Sequence, residues 1–142
     1  ADSALPTSIQ ADLLDEDLKI VKIAAVKERM LFDVTRFEVK ARQSVRIDFI
    51  NPDATAHNLV IVTPGSEEEI GQAANEMAKD PKAAQKGQFV PKSKKVIQAT
   101  RMVAPLSAES LRFNAPKDPG EYPYLCTFPG HWVIMKGIMV VK

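Results

Sequence analysis

Apolar residues along this chain follow a spacing of two over most of its length, and a spacing near three and a half over one stretch. From Leu18 onward they come in short runs and alternations: Lys19 to Val26, Met30 to Val34, Phe37 to Ala41, and then Val45, Ile47 and Phe49 with single polar residues between them. Successive side chains of an extended chain point to opposite faces, so alternation predicts strands with one buried face. A further strand is predicted from Asn58 to Thr63, and Thr63, Pro64 and Gly65 end it with turn chemistry.

There the period switches. Ser66 with Glu69 three positions later reads as a capping box, and Ile70, Ala74 and Met77 recur at helical spacing until Asp80 and Pro81 stop the run. This predicts a helix over roughly 66–79, with a second helical turn around 82–86. Strand texture resumes near Val96 to Thr100, Ser110 to Asn114, Gly120 to Cys126 and Gly137 to Val141. About eight short strands with turn signals between them predict an all-β fold. The expected form is a Greek-key, two-sheet antiparallel β-sandwich with one helical insertion around residues 66–86.

Residues 1–17 differ in texture. They carry Asp2, Asp12, Asp15, Glu16 and Asp17, no basic residue and little periodicity, the pattern of a solvated leader or linker ahead of a domain spanning 18–142. At 142 residues, 45% hydrophobic and 26% charged, the sequence suits one soluble globular domain with a sizeable core. No window approaches the roughly 18 consecutive apolar residues of a membrane span. Nineteen Lys and Arg against eighteen Asp and Glu is too even a balance for a nucleic-acid binder that neutralises phosphates.

A census of metal-binding side chains narrows the chemistry further. The sequence holds one cysteine, Cys126, two histidines, His57 and His131, and five methionines. A lone cysteine forms no internal disulfide, and two histidines suffice for one soft-ligand metal centre at most, which excludes a self-contained multi-copper or His-rich catalytic site. One connection, from Tyr124 to Gly137, carries Cys126, His131 and Met135 together. Two imidazoles, a thiolate and a weak axial thioether are the ligand set of electron-transfer copper, because soft sulfur favours Cu(I) while imidazole suits both oxidation states. His57, just before a strand, is the only other histidine and the candidate fourth ligand.

These residues resemble the cupredoxins, the type 1 blue copper proteins, and within them the azurin and auracyanin branch. Four residues separate Cys126 from His131 and three separate His131 from Met135, as in azurin-like loops; Thr127, Phe128, Pro129 and Gly130 repeat their filling, and His57 followed by Asn58 repeats the upstream ligand. The resemblance covers about 18–142. It implies one copper ion held by His57, Cys126, His131 and Met135, with backbone N–H groups near Asn58 and Phe128 donating to the Cys126 sulfur and the Asn58 side chain tying the two ligand loops. It also implies that His131 is the electron port, ringed by an apolar docking patch of Pro129, Trp132, Val133 and Ile134. Three departures stand out: Ala56 replaces a glycine whose carbonyl approaches copper, Trp132 replaces a small residue, and the azurin disulfide is absent.

Each residue also has a plainer reading. Cys126 alone would be a buried hydrophobe, or a nucleophile with His131 as base, although no orienting acid or oxyanion motif accompanies it. Met135 alone would be core filling, and His57 a satisfied loop histidine. The glutamates at 67–69 and the lysines at 92, 94 and 95 read first as solvated faces. The resulting expectation is an electron carrier rather than an enzyme, monomeric, exchanging electrons with transient redox partners. Copper storage or delivery, and a relay domain of a larger redox enzyme, are the alternatives. Such a carrier would be periplasmic or otherwise extracytoplasmic, either free or tethered through the leader to a membrane anchor or an upstream domain.

Overall fold

The computed structural model describes residues 17–142. The expected acidic leader lies outside the described residues except for Asp17, whose carbonyl accepts a hydrogen bond from Gln43 Nε2 at 2.8 Å. The alternating segments form strands as their patterns require. Strand β1 (Lys19–Val26) turns Val21, Ile23 and Ala25 inward, and after the short β2 (Leu31–Phe32), β3 (Arg36–Val39) does the same with Phe37 and Val39. Strand β4 (Ser44–Asn51) buries Val45, Ile47 and Phe49. Each Ile or Phe side chain fully withdrawn from water contributes on the order of 1.5–3 kcal/mol.

Strand β5 (Val60–Val62) is buried on both faces. Ile61 joins the core between the sheets, while Val60 and Val62 pack outward with Ile70 of helix α1 (Glu67–Met77). Helix α2 (Pro81–Lys86) follows, then β6 (Val96–Ala99), β7 (Ser107–Asn114), β8 (Gly120–Leu125) and β9 (Lys136–Val141). One sheet has the order β2-β1-β4-β7 and the other β3-β9-β8-β5-β6. Between them Tyr124 is the hub: its ring centroid lies 5.4 Å from that of Phe32 and 5.7 Å from that of Phe37, and its hydroxyl donates to the Val34 carbonyl.

The two-sheet sandwich with a helical insertion is as expected, but its sheets are mixed rather than purely antiparallel. β1 lies parallel to β4, with Val21 opposite Ile47 and Ile23 opposite Phe49, and β3 lies parallel to β9. Alternation specifies which face is buried and is silent on the direction of the partner strand. Here the chain leaves the first sheet to make β3 in the second before returning as β4, and such a crossover permits parallel pairing.

The insertion also differs in detail. Ser66 makes no side-chain cap to α1; its hydroxyl bonds Thr63 Oγ1 at 2.6 Å, and Glu69 instead pairs with Lys95 at 2.6 Å. Asp80 and Pro81, which read as a stop, start α2: Asp80 Oδ1 accepts from the Ala83 N–H at 3.3 Å, and Pro81 occupies the first turn, where its missing N–H costs nothing. No helix among the described residues is long and apolar enough to cross a membrane.

Candidate metal centre

The four expected ligands come from two loops at one end of the sandwich. Cys126 follows directly on β8, and the chain then turns through Gly130, at φ 83°, into a single 3₁₀ turn of His131–Val133 before β9. This loop closes on itself: Cys126 N–H donates to the Met135 carbonyl at 3.1 Å, and Met135 N–H donates to the His131 carbonyl at 2.8 Å. His57 lies on the other loop, where its backbone makes a two-bond bridge with Val103.

Together they converge. The ligand atoms of His57, Cys126 and His131 all lie within 4.8 Å of one another and all three residues are buried. Cys126 Sγ is 3.8 Å from His57 Nδ1 and 3.6 Å from His131 Nδ1, and Met135 is fully buried in the same core cluster. A thiol between two imidazole nitrogens, with a buried methionine on the same loop, fits copper of the electron-transfer kind and no hard cation. His57 is 0% exposed and His131 7%, so His131 is the imidazole closer to solvent.

Burial pushes the Cys126 thiol up to about 11, against the opposing pull of the Asn58 and Phe128 backbone N–H groups that donate to its sulfur. Sγ therefore carries its proton until a metal displaces it. Burial also depresses the His131 pKa, with the His57 ring adding to that and Asp53 opposing it, which favours the neutral ring a metal needs.

The surroundings fix both loops. Thr127 N–H donates to Asn58 Oδ1 at 2.8 Å and Asn58 Nδ2 donates to Thr127 Oγ1 at 2.8 Å, a reciprocal pair joining the loops. Thr127 Oγ1 donates in turn to the Phe89 carbonyl at 2.6 Å, and Asn58 Nδ2 reaches the Gln88 carbonyl at 3.2 Å. Gln88 and Phe89 both have positive φ, which aims their carbonyls at the ligand loops. The Phe128 ring lies 4.7 Å from the His131 ring and 5.5 Å from that of Phe89. The segment after α2 is thus a brace for the centre.

Among the residues of the expected docking patch, Val133 and Ile134 are 55% and 48% exposed and Pro129 is half-buried. Trp132 instead leans away onto α1 and packs with Ile70, Val60, Val62 and Leu125. Its indole Nε1 is buried with no hydrogen-bond partner among the described residues. The helix, whose glutamates read from sequence as a solvated face, is on its apolar side the seat for the residue that follows the ligand His131.

Sequence reasoning misses Asp53. Its Oδ2 sits 2.9 Å from His57 Nε2, with both side chains buried. The hydrogen bond from His57, then that from the Glu28 N–H, holds the Asp53 carboxyl below the usual carboxylate range. The only sequence signal was a carboxylate four positions before a histidine, which is too common to single out.

A thiol and two imidazoles converging at the end of a Greek-key sandwich, with a buried methionine in the same loop, define the mononuclear type 1 copper proteins. The chain belongs to the plastocyanin/azurin family of copper binding proteins, whose model matches residues 19–142, and within it to the auracyanin and azurin branch. It is 32% identical over 126 residues to auracyanin-B of Chloroflexus aurantiacus, covering 85% of this chain and 51% of that protein. With auracyanin-A of the same organism it is 32% identical over 123 residues, covering 86% and 74%. The chain thus spans about half the length of auracyanin-B. The structure of reduced auracyanin from Roseiflexus castenholzii superposes with a TM-score of 0.76 at 33% identity, covering 87% of this chain and 97% of that one.

Proposed function

We propose that the protein is a one-electron carrier rather than an enzyme. The observation that supports this most is the burial of three convergent donor atoms within 4.8 Å, on loops locked together by the Asn58–Thr127 pair. Bound there, copper would supply reversible one-electron chemistry between Cu(II) and Cu(I). His57, Cys126 and His131 would hold it, with Met135 as the weak fourth ligand. Preformed donors keep the reorganisation on oxidation and reduction small, which is what fast electron exchange demands. The N–H groups of Asn58 and Phe128 withdraw electron density from the Cys126 sulfur and favour the reduced form.

Partners dock at the His131 end. Val133 and Ile134 supply the exposed apolar surface and Pro129 its edge, while Trp132 supports them from the α1 side. A few exposed apolar side chains favour transient association, so donor and acceptor can exchange rapidly. The partners are other redox proteins, met outside the cytoplasm.

Adding Cu(II) to the metal-free chain tests the proposal. An intense visible thiolate-to-copper band and a narrow paramagnetic hyperfine pattern are expected, and Cys126→Ser should abolish the band. No band in the parent chain would sink the assignment. Slow exchange with a small redox protein, together with ready loss of copper to a chelator, would point to storage instead.

A further inference from the structure

The carboxylate beside His57 is built into the fold too thoroughly for a bystander. Asp53 Oδ2 faces His57 Nε2 at 2.9 Å, and an ionised carboxylate only accepts, so Nε2 carries the proton and Nδ1 presents a lone pair toward Cys126 Sγ. The other oxygen, Oδ1, accepts from the Ala54 N–H at 2.8 Å and from the Glu28 N–H at 3.1 Å. Glu28 lies in the β1–β2 turn with φ 67°, and that turn thereby reaches across to the ligand loop.

A second set of bonds fixes the Asp53 backbone. Asn51 Oδ1 accepts from the Asp53 N–H at 3.0 Å, while Asn51 Nδ2 donates to the Thr55 carbonyl at 2.9 Å and to the Val103 carbonyl at 2.9 Å. Val103 is the bridge partner of His57, so the circuit runs from Asn51 through Asp53 and His57 to Val103 and back. All four residues are buried.

We infer that Asp53 is a positioning and potential-setting residue: its carboxylate locks His57 in the Nε2–H tautomer and places a buried negative charge behind that ligand, favouring the oxidised centre. The charge term follows from Coulomb attraction in a poorly solvated site, where the more positive metal state gains more from a nearby anion. It opposes the N–H groups on Cys126 Sγ, which favour reduction. The centre's potential is then set by antagonistic protein contacts, a carboxylate behind His57 and N–H donors at the Cys126 sulfur.

The potential half of this inference rests on the copper reading above, whereas the tautomer half does not. Asp53→Asn is close to isosteric and removes the charge. In the copper-loaded full chain it should retain the visible band and raise the reduction potential. A tenfold loss of preference for the oxidised form would read as about 59 mV for one electron. An unchanged potential with the band retained would overturn the charge term.

Long-range proton–nitrogen NMR of the metal-free parent chain tests the tautomer directly. The His57 ring should show Nε2 protonated and Nδ1 bare, with the two rings assigned through His131→Gln. The opposite tautomer would overturn the positioning role. If the parent chain develops no visible band while the NMR shows the Nε2–H form, the copper reading fails and the contact stands.

Discussion

Trp132 lies flat on Gly71: a methyl group built on Gly71 would stand 2.1 Å from the indole Cδ2 and 2.4 Å from Cε2. Helix α1 and the ligand loop therefore approach as closely as they do because one residue has no side chain. Replacing a helical glycine by alanine ordinarily gains up to about 1 kcal/mol, but forced overpacking costs about 1–3 kcal/mol. Here the ring cannot share its space with a Cβ and must leave its niche. Gly71→Ala should lower stability by up to about 2 kcal/mol net in chemical denaturation, with the emission of the single tryptophan shifted to the red. A variant as stable as the parent would show that the niche is dispensable.

Asn58 is the second joint. It is fully buried, and its amide serves both the Thr127 N–H and the Thr127 hydroxyl. Asn58→Ala leaves the Thr127 N–H buried and unpaired, while the Thr127 hydroxyl keeps only its bond to the Phe89 carbonyl, at a cost of about 1–3 kcal/mol. The expected result is a lower denaturation midpoint together with faster copper loss to a chelator, since His57 and Cys126 are then held by independent loops. Unaltered retention of the metal would show that the sandwich alone holds the loops in register.

Both tyrosines should titrate late. Burial raises the Tyr124 pKa far above its ordinary value, with Asp33 adding to it, and burial raises that of Tyr122, with Asp118 adding. A phenol that holds its proton more tightly when folded contributes stability that is complete below the unfolded pKa of about 10 and is lost as pH rises beyond it. Stability should fall above about pH 10, and the phenolate absorbance should grow in step with unfolding. Tyrosine ionisation near pH 10 in a chain still folded by circular dichroism would contradict the packing around Tyr124.

The exposed pair Val133 and Ile134 should matter to partners and not to the metal. Val133→Ser with Ile134→Ser removes apolar area that docking would bury, at about 0.8 kcal/mol per methylene lost. Electron exchange with a redox protein is expected to slow by about tenfold, equivalent to about 1.4 kcal/mol, with the visible spectrum unchanged. Exchange at the parental rate would move the docking surface elsewhere on the molecule.

Much of this architecture is legible in the sequence because it rests on local rules. The alternation of Val45, Ile47 and Phe49 gives β4 its buried face, and the spacing of Cys126, His131 and Met135 places three donors on one loop. What the sequence hides are relationships between distant segments. No periodicity announces that β1 runs parallel to β4, that Trp132 needs the bare backbone of Gly71, or that the Glu28 N–H bonds to Asp53. Ser66 and Glu69 illustrate the reverse case, where a local rule loses: Thr63 and Lys95 offer these side chains better partners than the helix end does.

The span between the two ligand loops also has a kinetic meaning. Cys126 and His131 are five positions apart, whereas His57 is 69 positions from Cys126, and Phe37 of β3 must find Met139 of β9 near the far end of the chain. Closures of that range are entropically expensive and slow to form, which places this sandwich among slow folders. Three of the four metal ligands, thiol, imidazole and thioether, are therefore already gathered on one loop while the chain is still searching, and the second imidazole arrives with the last long-range contacts. In refolding, colour is a clock for completion: it marks the moment the two sheets have closed on each other.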